Sequence, residues 1–364
     1  MRRSPILGTS FFARSRLFQA TIRLLLLAAG TQTLNAVPPV RGRDPWVFRM
    51  ILENKTRMTV AALRNDLWVA YNPANGTLFK AWSGGINYRG KVYDFSQENS
   101  TTQGTVYYQG RNMILRVPST TSIPAGWTAS GVTTGANVWT FTGGNGATMT
   151  SPLIDLTRYD NPIFLFYETN GNPLRVQWSN DGGSTWTAQE YNSTRPGVNP
   201  QENQKLIVAS GSSVRMRFLQ QGNYNKTINN ISLFGDYRAW SATQNGSAIP
   251  VTVDWRGYAT QSSEPGENPP NVGSVTLKYD VVLQGGTRVS ILEKPEQLPG
   301  AALTRQLTVA DLPADTVLSL QLDGTGYQEA RTVSGAGVLR QAGSEVFLDL
   351  TANGVTTLNT TWTP

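Results

Sequence analysis

Apolar and polar residues alternate along this chain in short runs, each closed by turn residues, and long stretches at helical spacing are hard to find. Trp46-Val47-Phe48 opens the first run, and residues 58–63 and 67–71 follow, with Arg64-Asn65-Asp66 between them. Asn72-Pro73-Ala74-Asn75-Gly76 reads as a turn whose glycine can take positive φ. Residues 67–71 and 77–82 are therefore expected to pair as a hairpin, with further strands over 88–95 and 105–109.

The pattern changes near Pro118. Residues 119–150 are almost free of charge and rich in Thr, Gly and Ser. Strands are then expected after Asn161-Pro162 and over 174–179, 188–191, 204–209, 214–219 and 228–234, a spacing that suggests a sandwich. Beyond Ala248 the earlier character returns. Residues 251–258 form a strand, and 261–273 a Pro/Glu/Ser/Asn loop. Residues 275–283 and 287–293 flank the hairpin turn Gln284-Gly285-Gly286, and strands follow over 303–309, 317–322, 328–333 and 345–350. Periodicity does not say which strands share a sheet.

Composition narrows the chemistry. The 364 residues include no histidine and no cysteine, which excludes a Ser-His-Asp triad, imidazole or thiolate metal sites, covalent haem and disulfides. Charged residues make up 15% of the chain, against about 25% in ordinary soluble domains. With 35 Gly and 20 Pro, the profile is that of an all-β extracellular protein. Residues 1–36 read as a cleaved signal peptide. Arg2, Arg3, Arg14, Arg16 and Arg23 give a basic start, 24–29 a short apolar core, and Leu34-Asn35-Ala36 a cleavage site. The apolar run is too short to span a bilayer, so the chain is not expected to be membrane-spanning. Those arginines with Arg41 and Arg43 account for the net charge of +7, so the remainder is near neutral and no nucleic-acid footprint is expected. Export without disulfides favours the bacterial periplasm or cell surface.

The middle segment carries Ser151-Pro152-Leu153-Ile154-Asp155-Leu156, Tyr159, a strand-and-turn from Leu174 to Trp186, and Ile228-Asn229-Asn230-Ile231-Ser232-Leu233-Phe234-Gly235. It resembles the lectin-type jelly roll of MAM-like and carbohydrate-binding adhesion modules. Related jelly rolls hold Ca²⁺ through acids in the closing strand, where this chain has Asn229 and Asn230. Amides are weaker ligands, so no metal is expected, although Asp155, Asp181 and Asp236 are present. The flanks, Pro45-Trp46-Val47-Phe48-Arg49, residues 62–71 and 78–86, Val253-Asp254-Trp255-Arg256-Gly257-Tyr258 and Ile291-Leu292-Glu293-Lys294-Pro295-Glu296, resemble the β-rich module of large exported bacterial proteins that also carry cytochrome c and PQQ-type sugar dehydrogenase domains. Electron transfer does not carry over, because the haem-binding Cys-x-x-Cys-His is absent and Arg64 stands where the related module often has His. The resemblances imply an all-β fold: a discontinuous β-sandwich over 45–117 and 250–350, with a jelly-roll β-sandwich inserted over 118–240.

Several residues are candidates for binding. In the jelly roll, Trp127, Trp139, Tyr167 and Trp178 could line a concave face, and Tyr224 and Asn225 lie in a Gly/Asn loop. In the flanks, Lys80, Trp82 and Asn87 follow a turn-rich stretch and are surface candidates, whereas Trp68 and Tyr71 alternate as core residues do. Ser179-Asn180-Asp181-Gly182-Gly183-Ser184-Thr185-Trp186 fits a single Asp-box. Asp181 would accept turn N–H groups, Gly183 would take positive φ, and Trp186 would pack under the turn. One unrepeated box reads as a structural turn, not a propeller blade. Paired carboxylates for glycoside hydrolysis could come from Asp66, Asp254, Glu293 and Glu296, but no spacing singles out a pair. The expectation is an exported, non-catalytic protein without a cofactor that binds carbohydrate or another surface polymer. A structural or adhesion subunit contacting other exported proteins, and an accessory domain of a sugar-oxidising system, are the alternatives.

Overall fold

A computed structural model describes residues 45–53, 55–63, 67–87, 100–118, 120–169, 174–189, 201–206, 208–223, 225–261 and 273–364. All regular structure among them is β, gathered into five larger antiparallel sheets and one two-stranded ribbon. Residues 1–36, expected to be a signal peptide, the run over 88–95 and the loop over 262–272 lie outside the described residues.

The N-terminal sheet runs Trp46–Leu52, Lys55–Ala62, Trp68–Asn72, Thr77–Trp82 and Val106–Gly110, with Gly324–Gly326 from far along the chain added at its edge. The expected hairpin is present, closed by Gly76 at φ 62°. The long C-terminal sheet orders Val251–Gln261, Ser274–Leu283, Arg288–Leu298, Ala302–Ala310, Gly354–Thr363 and Gln328–Gly335. Its strands show why the sequence folds so. In Ser274–Leu283, Val275, Leu277, Tyr279, Val281 and Leu283 point inward and are buried, while Ser274, Thr276, Lys278 and Val282 occupy the opposite face.

The inner face of this long sheet is covered by two different partners. Val281, Leu283, Val289, Ile291, Leu307 and Val309 pack against a short sheet built from Trp240–Gln244, Ser247–Ile249, Thr316–Gln321, Gly337–Ala342 and Glu345–Leu350. Val275, Leu277, Leu303 and Trp362 pack instead against Val69, Tyr71, Leu78 and Tyr108 of the N-terminal sheet. The two flanks of the sequence thus share one core.

Between them lies a two-sheet jelly roll. One sheet orders Val132–Gly135, Val138–Phe141, Lys226–Tyr237, Tyr159–Thr169 and Gln201–Leu206, with Met113–Val117 also pairing the long Lys226–Tyr237 strand. The other orders Thr187–Gln189, Arg175–Ser179, Arg215–Leu219, Thr148–Thr150 and Thr128–Ser130. Phe141, Phe164, Phe166 and Phe218 meet between the sheets, with ring centroids 4.8–6.3 Å apart. Several strands of the 113–150 region, and Gly354–Thr363, were not anticipated from periodicity. In Val132–Gly135 and Gly354–Thr363 consecutive threonines occupy both faces, which flattens the apolar alternation, and Thr128–Ser130 and Thr148–Thr150 are too short to show a period.

Candidate functional site

All four tryptophans expected at a binding surface, Trp82, Trp127, Trp139 and Trp178, belong to the core. Trp127, Trp139 and Trp178 are 7%, 0% and 8% exposed and join one apolar cluster between the jelly-roll sheets. Their polar ends are tied inward: Trp139 Nε1 donates to the Ser122 carbonyl at 2.8 Å, and Trp178 Nε1 to the Val208 carbonyl at 2.8 Å. This corrects the expectation, and the cause is register: Trp178 falls between outward-facing Gln177 and Ser179 in its strand, which sends the indole to the core. In the N-terminal sheet Trp82 is fully buried, stacked on Trp68 at 6.0 Å, with Nε1 donating to the Gly85 carbonyl. Lys80 is also buried, its ammonium paired with Glu53 at 2.5 Å and donating to Thr102 at 2.8 Å. Neither is a surface group. Asn87 is half-buried in a two-residue ribbon opposite Thr101. Tyr167 is half-buried opposite Asn229, Asn225 is exposed, and Tyr224 lies outside the described residues.

The Ser179–Trp186 turn brings different groups together. Asp181 accepts from the Ser179 hydroxyl at 2.6 Å, from the Thr185 hydroxyl at 2.6 Å and from the Thr185 N–H at 2.9 Å. Ser179 Oγ in turn accepts from the Gly183 N–H at 2.7 Å. The hydroxyl of Ser179 first, then those donors of Thr185, hold the Asp181 carboxyl far below the ordinary aspartate range. Gly182 and Gly183 take φ of 73° and 103°, which a side chain would resist.

Trp186 lies against this turn, where a Cβ on Gly183 would stand 3.4 Å from its ring, and it extends, half-buried, over the outer face of the Arg175–Ser179 sheet, where the Arg217 guanidinium carbon stands 4.1 Å from its ring centroid. Arg217 Nε donates to Gln177 Oε1 at 2.5 Å, and Gln177 and Arg217 are direct cross-strand partners. Arg215, two positions earlier on the same face, donates from Nη1 to the Ser151 carbonyl at 2.9 Å. Thr150 and Thr128 extend the Gln177–Arg217 row across the sheet. Among the described residues no sheet or helix packs on this face. On it lie one aromatic ring, the guanidinium groups of Arg175, Arg215 and Arg217, hydroxyls, and the amide of Gln177, which is itself 7% exposed beneath Arg217. Sequence reasoning missed Arg215, Gln177 and Arg217. The signal was the alternation Arg215-Met216-Arg217-Phe218, which sends both arginines outward once Met216 and Phe218 are core.

A second polar cluster lies where the two coverings of the long sheet meet. Glu293 is fully buried and accepts from Tyr71 OH at 2.6 Å, Tyr279 OH at 2.8 Å and Arg305 Nε at 2.6 Å. Burial first, and then the Glu293 charge, raises both tyrosines well above their ordinary pKa. Arg305 also lines a cavity of about 30 Å³ with Tyr108, Gln321, Asp323, Arg331 and Trp362. At ~10–15 Å³ per water that is room for two or three waters, not for a sugar ring. The cluster closes a core and offers no ligand site of useful size.

The acids considered as metal ligands are engaged too. Asp155 accepts from the Thr157 hydroxyl and N–H, and Asp236 from Lys55, Asn72 and Asn161. Among the described residues no group of three acids could hold a metal ion.

No model of a known protein family matches the sequence, and no curated protein does. The resemblance of the flanks to the module of cytochrome c and PQQ-type dehydrogenase proteins thus gains no support. Among solved structures, the tandem carbohydrate-binding modules CBM22-1-CBM22-2 of Paenibacillus barcinonensis Xyn10C match over 70% of this chain and 92% of that one, at 12% identity and a TM-score of 0.26. A likeness of that size carries no argument about ligand or mechanism.

Proposed function

We propose that this chain is an exported, non-catalytic protein that binds a carbohydrate or another cell-surface polymer on the open face of its inserted jelly roll. The observation that carries the reading is half-exposed Trp186 set beside Arg217, which buried Gln177 holds in place, on a sheet face that no other described sheet covers. Aromatic rings stack on the apolar faces of sugars, and amide and guanidinium groups satisfy hydroxyls. The acids considered for hydrolysis support the non-catalytic part. Glu293 is locked by Arg305 and two tyrosines, Asp254 is paired with Arg288 at 2.6 Å, and Glu296 with Lys294 at 2.8 Å. Asp66 lies outside the described residues. Export rests on the basic and apolar pattern of residues 1–36 and on the absence of cysteine.

A glycan-array screen with the purified mature chain tests the reading. The expected result is retention of a defined set of glycans that Trp186→Ala loses while its far-UV circular dichroism is unchanged. Turnover of any of those glycans, abolished by replacing one acidic residue, would overturn it.

A second reading, a structural or adhesion subunit, is favoured by one feature of the opposite jelly-roll sheet. Met113, Phe234 and Ile163 are consecutive cross-strand partners, and Met113 is 37% exposed. Self-association of the mature chain in sedimentation equilibrium, abolished by Met113→Lys, is the result that would favour it.

A further inference from the structure

Arg217 is held more tightly than a surface arginine requires. Its Nε is committed to Gln177 at 2.5 Å, and its guanidinium lies over the Trp186 ring at 4.1 Å. These contacts fix the plane of the group but use only Nε and one face. Both terminal nitrogens are left without a hydrogen-bond partner among the described residues. Arg215 stands on the same face, about 7 Å along the strand by β geometry. Its Nη1 reaches only the Ser151 carbonyl, and its Nε is buried without a partner. Neither arginine forms an ion pair among the described residues. The acid at the margin of the face, Asp181, spends its oxygens on Ser179 and Thr185. Burial lowers the Arg217 pKa, and among the described residues no carboxylate pairs with it to offset that.

A guanidinium whose plane is fixed and whose two outer nitrogens are free is a preformed fork for an anion with two oxygens in reach. Neutral hydroxyls would leave both charges uncompensated. Building on the carbohydrate-binding reading, we infer that the open jelly-roll face selects glycans bearing an anionic group, a uronate carboxylate or a sulfate ester, which the fork of Arg217 receives beside Arg215.

Isothermal titration of the mature chain tests this with four probes: an oligogalacturonide, its fully methyl-esterified form, a sulfated galactan fragment and oligo-dT of similar charge. The expected result is that the oligogalacturonide or the sulfated galactan binds at least about tenfold tighter than the methyl ester, the scale of a charge-assisted hydrogen-bonded pair. Which of the two binds identifies the anionic group. Arg217→Gln should erase that preference, and Arg217→Lys should restore it only in part because it keeps the charge and loses the fork. Equal binding of the methyl ester, unchanged in Arg217→Gln, would overturn the inference and leave the carbohydrate reading standing. Binding of no saccharide would remove both. Oligo-dT binding equal to that of the saccharides and insensitive to Trp186→Ala would show unselective polyanion attraction, and the inference would fall.

Discussion

A tryptophan in a β-strand can serve the core or the surface, and its register decides which. Trp139 is fully buried among the jelly-roll phenylalanines, so Trp139→Ala is expected to cost about 3–5 kcal/mol of stability, read from urea denaturation. Trp186 packs on the outer face, so Trp186→Ala should cost far less stability and act on binding. The buried tyrosines give a second residue-scale expectation. Burial pushes Tyr108 up to about 12, and burial with the Glu293 charge holds Tyr71 and Tyr279 well above the ordinary tyrosine value. An unfolded tyrosine ionises near pH ~10. The folded values are raised, so their contribution to stability is complete below pH ~10 and is lost as pH climbs through the folded values. Absorbance at 295 nm on alkaline titration should therefore show these tyrosines ionising late, together with loss of the fold. A smooth titration of every tyrosine near pH 10 with the fold intact would contradict the burial of this cluster.

At the scale of the element, the Ser179–Trp186 turn shows how much a short motif can announce. Its spacing of Ser, Asp, two Gly and Thr told which atoms would bond, because every partner of Asp181 lies within four residues of it. The position of Trp186 was not legible, because it depends on Arg217 from a strand about 30 residues further on. Gly183→Ala should lower the melting temperature. Its φ of 103° suits glycine, and an added Cβ would meet Trp186 and Arg215 at 3.4 Å. Asp181→Asn should also lower it, with a defined pH dependence. The folded pKa is depressed, so the contribution is present above pH ~4, the unfolded aspartate range, and is lost as pH falls through the folded value. The gap in melting temperature between wild type and Asp181→Asn should therefore shrink from pH 6 towards pH 2. A gap independent of pH would contradict a carboxylate role in the turn.

At the scale of the whole molecule, buried charge joins parts that lie far apart in the sequence. Lys55 of the N-terminal sheet pairs with Asp236 at the end of a jelly-roll strand at 2.5 Å, and both are 5% exposed. Asn72 and Asn161 complete the carboxylate from either side. Asp236→Ala would strand the Lys55 ammonium and is expected to destabilise by about 3–5 kcal/mol, whereas Lys55→Met with Asp236→Leu should recover part of that loss. A double-mutant cycle in guanidinium chloride measures the difference. Next to that pair in the chain, Tyr237 OH donates to Gln321, and Glu345 of the short sheet binds Arg111 and Arg158, whose guanidinium groups lie over the Tyr237 ring. The strand Gly324–Gly326 closes the edge of the N-terminal sheet, and a Cβ at Gly324 would lie 2.4 Å from the Tyr108 ring.

Alternation and turn chemistry, which are local, were enough to give the class of the fold and most of its strands. Turn chemistry also gave the hydrogen bonds of the Ser179–Trp186 turn, and composition alone gave the absence of thiol and imidazole chemistry. Everything that depends on which strand lies beside which came from tertiary structure. That includes the sharing of one long sheet by both flanks, the burial of Trp82, Trp139 and Trp178, and the meeting of Trp186, Gln177 and Arg217. A side chain's face follows from its neighbours in sequence, but what covers that face is settled by contacts between residues tens to hundreds of positions apart, and these leave no mark on the period of a single strand.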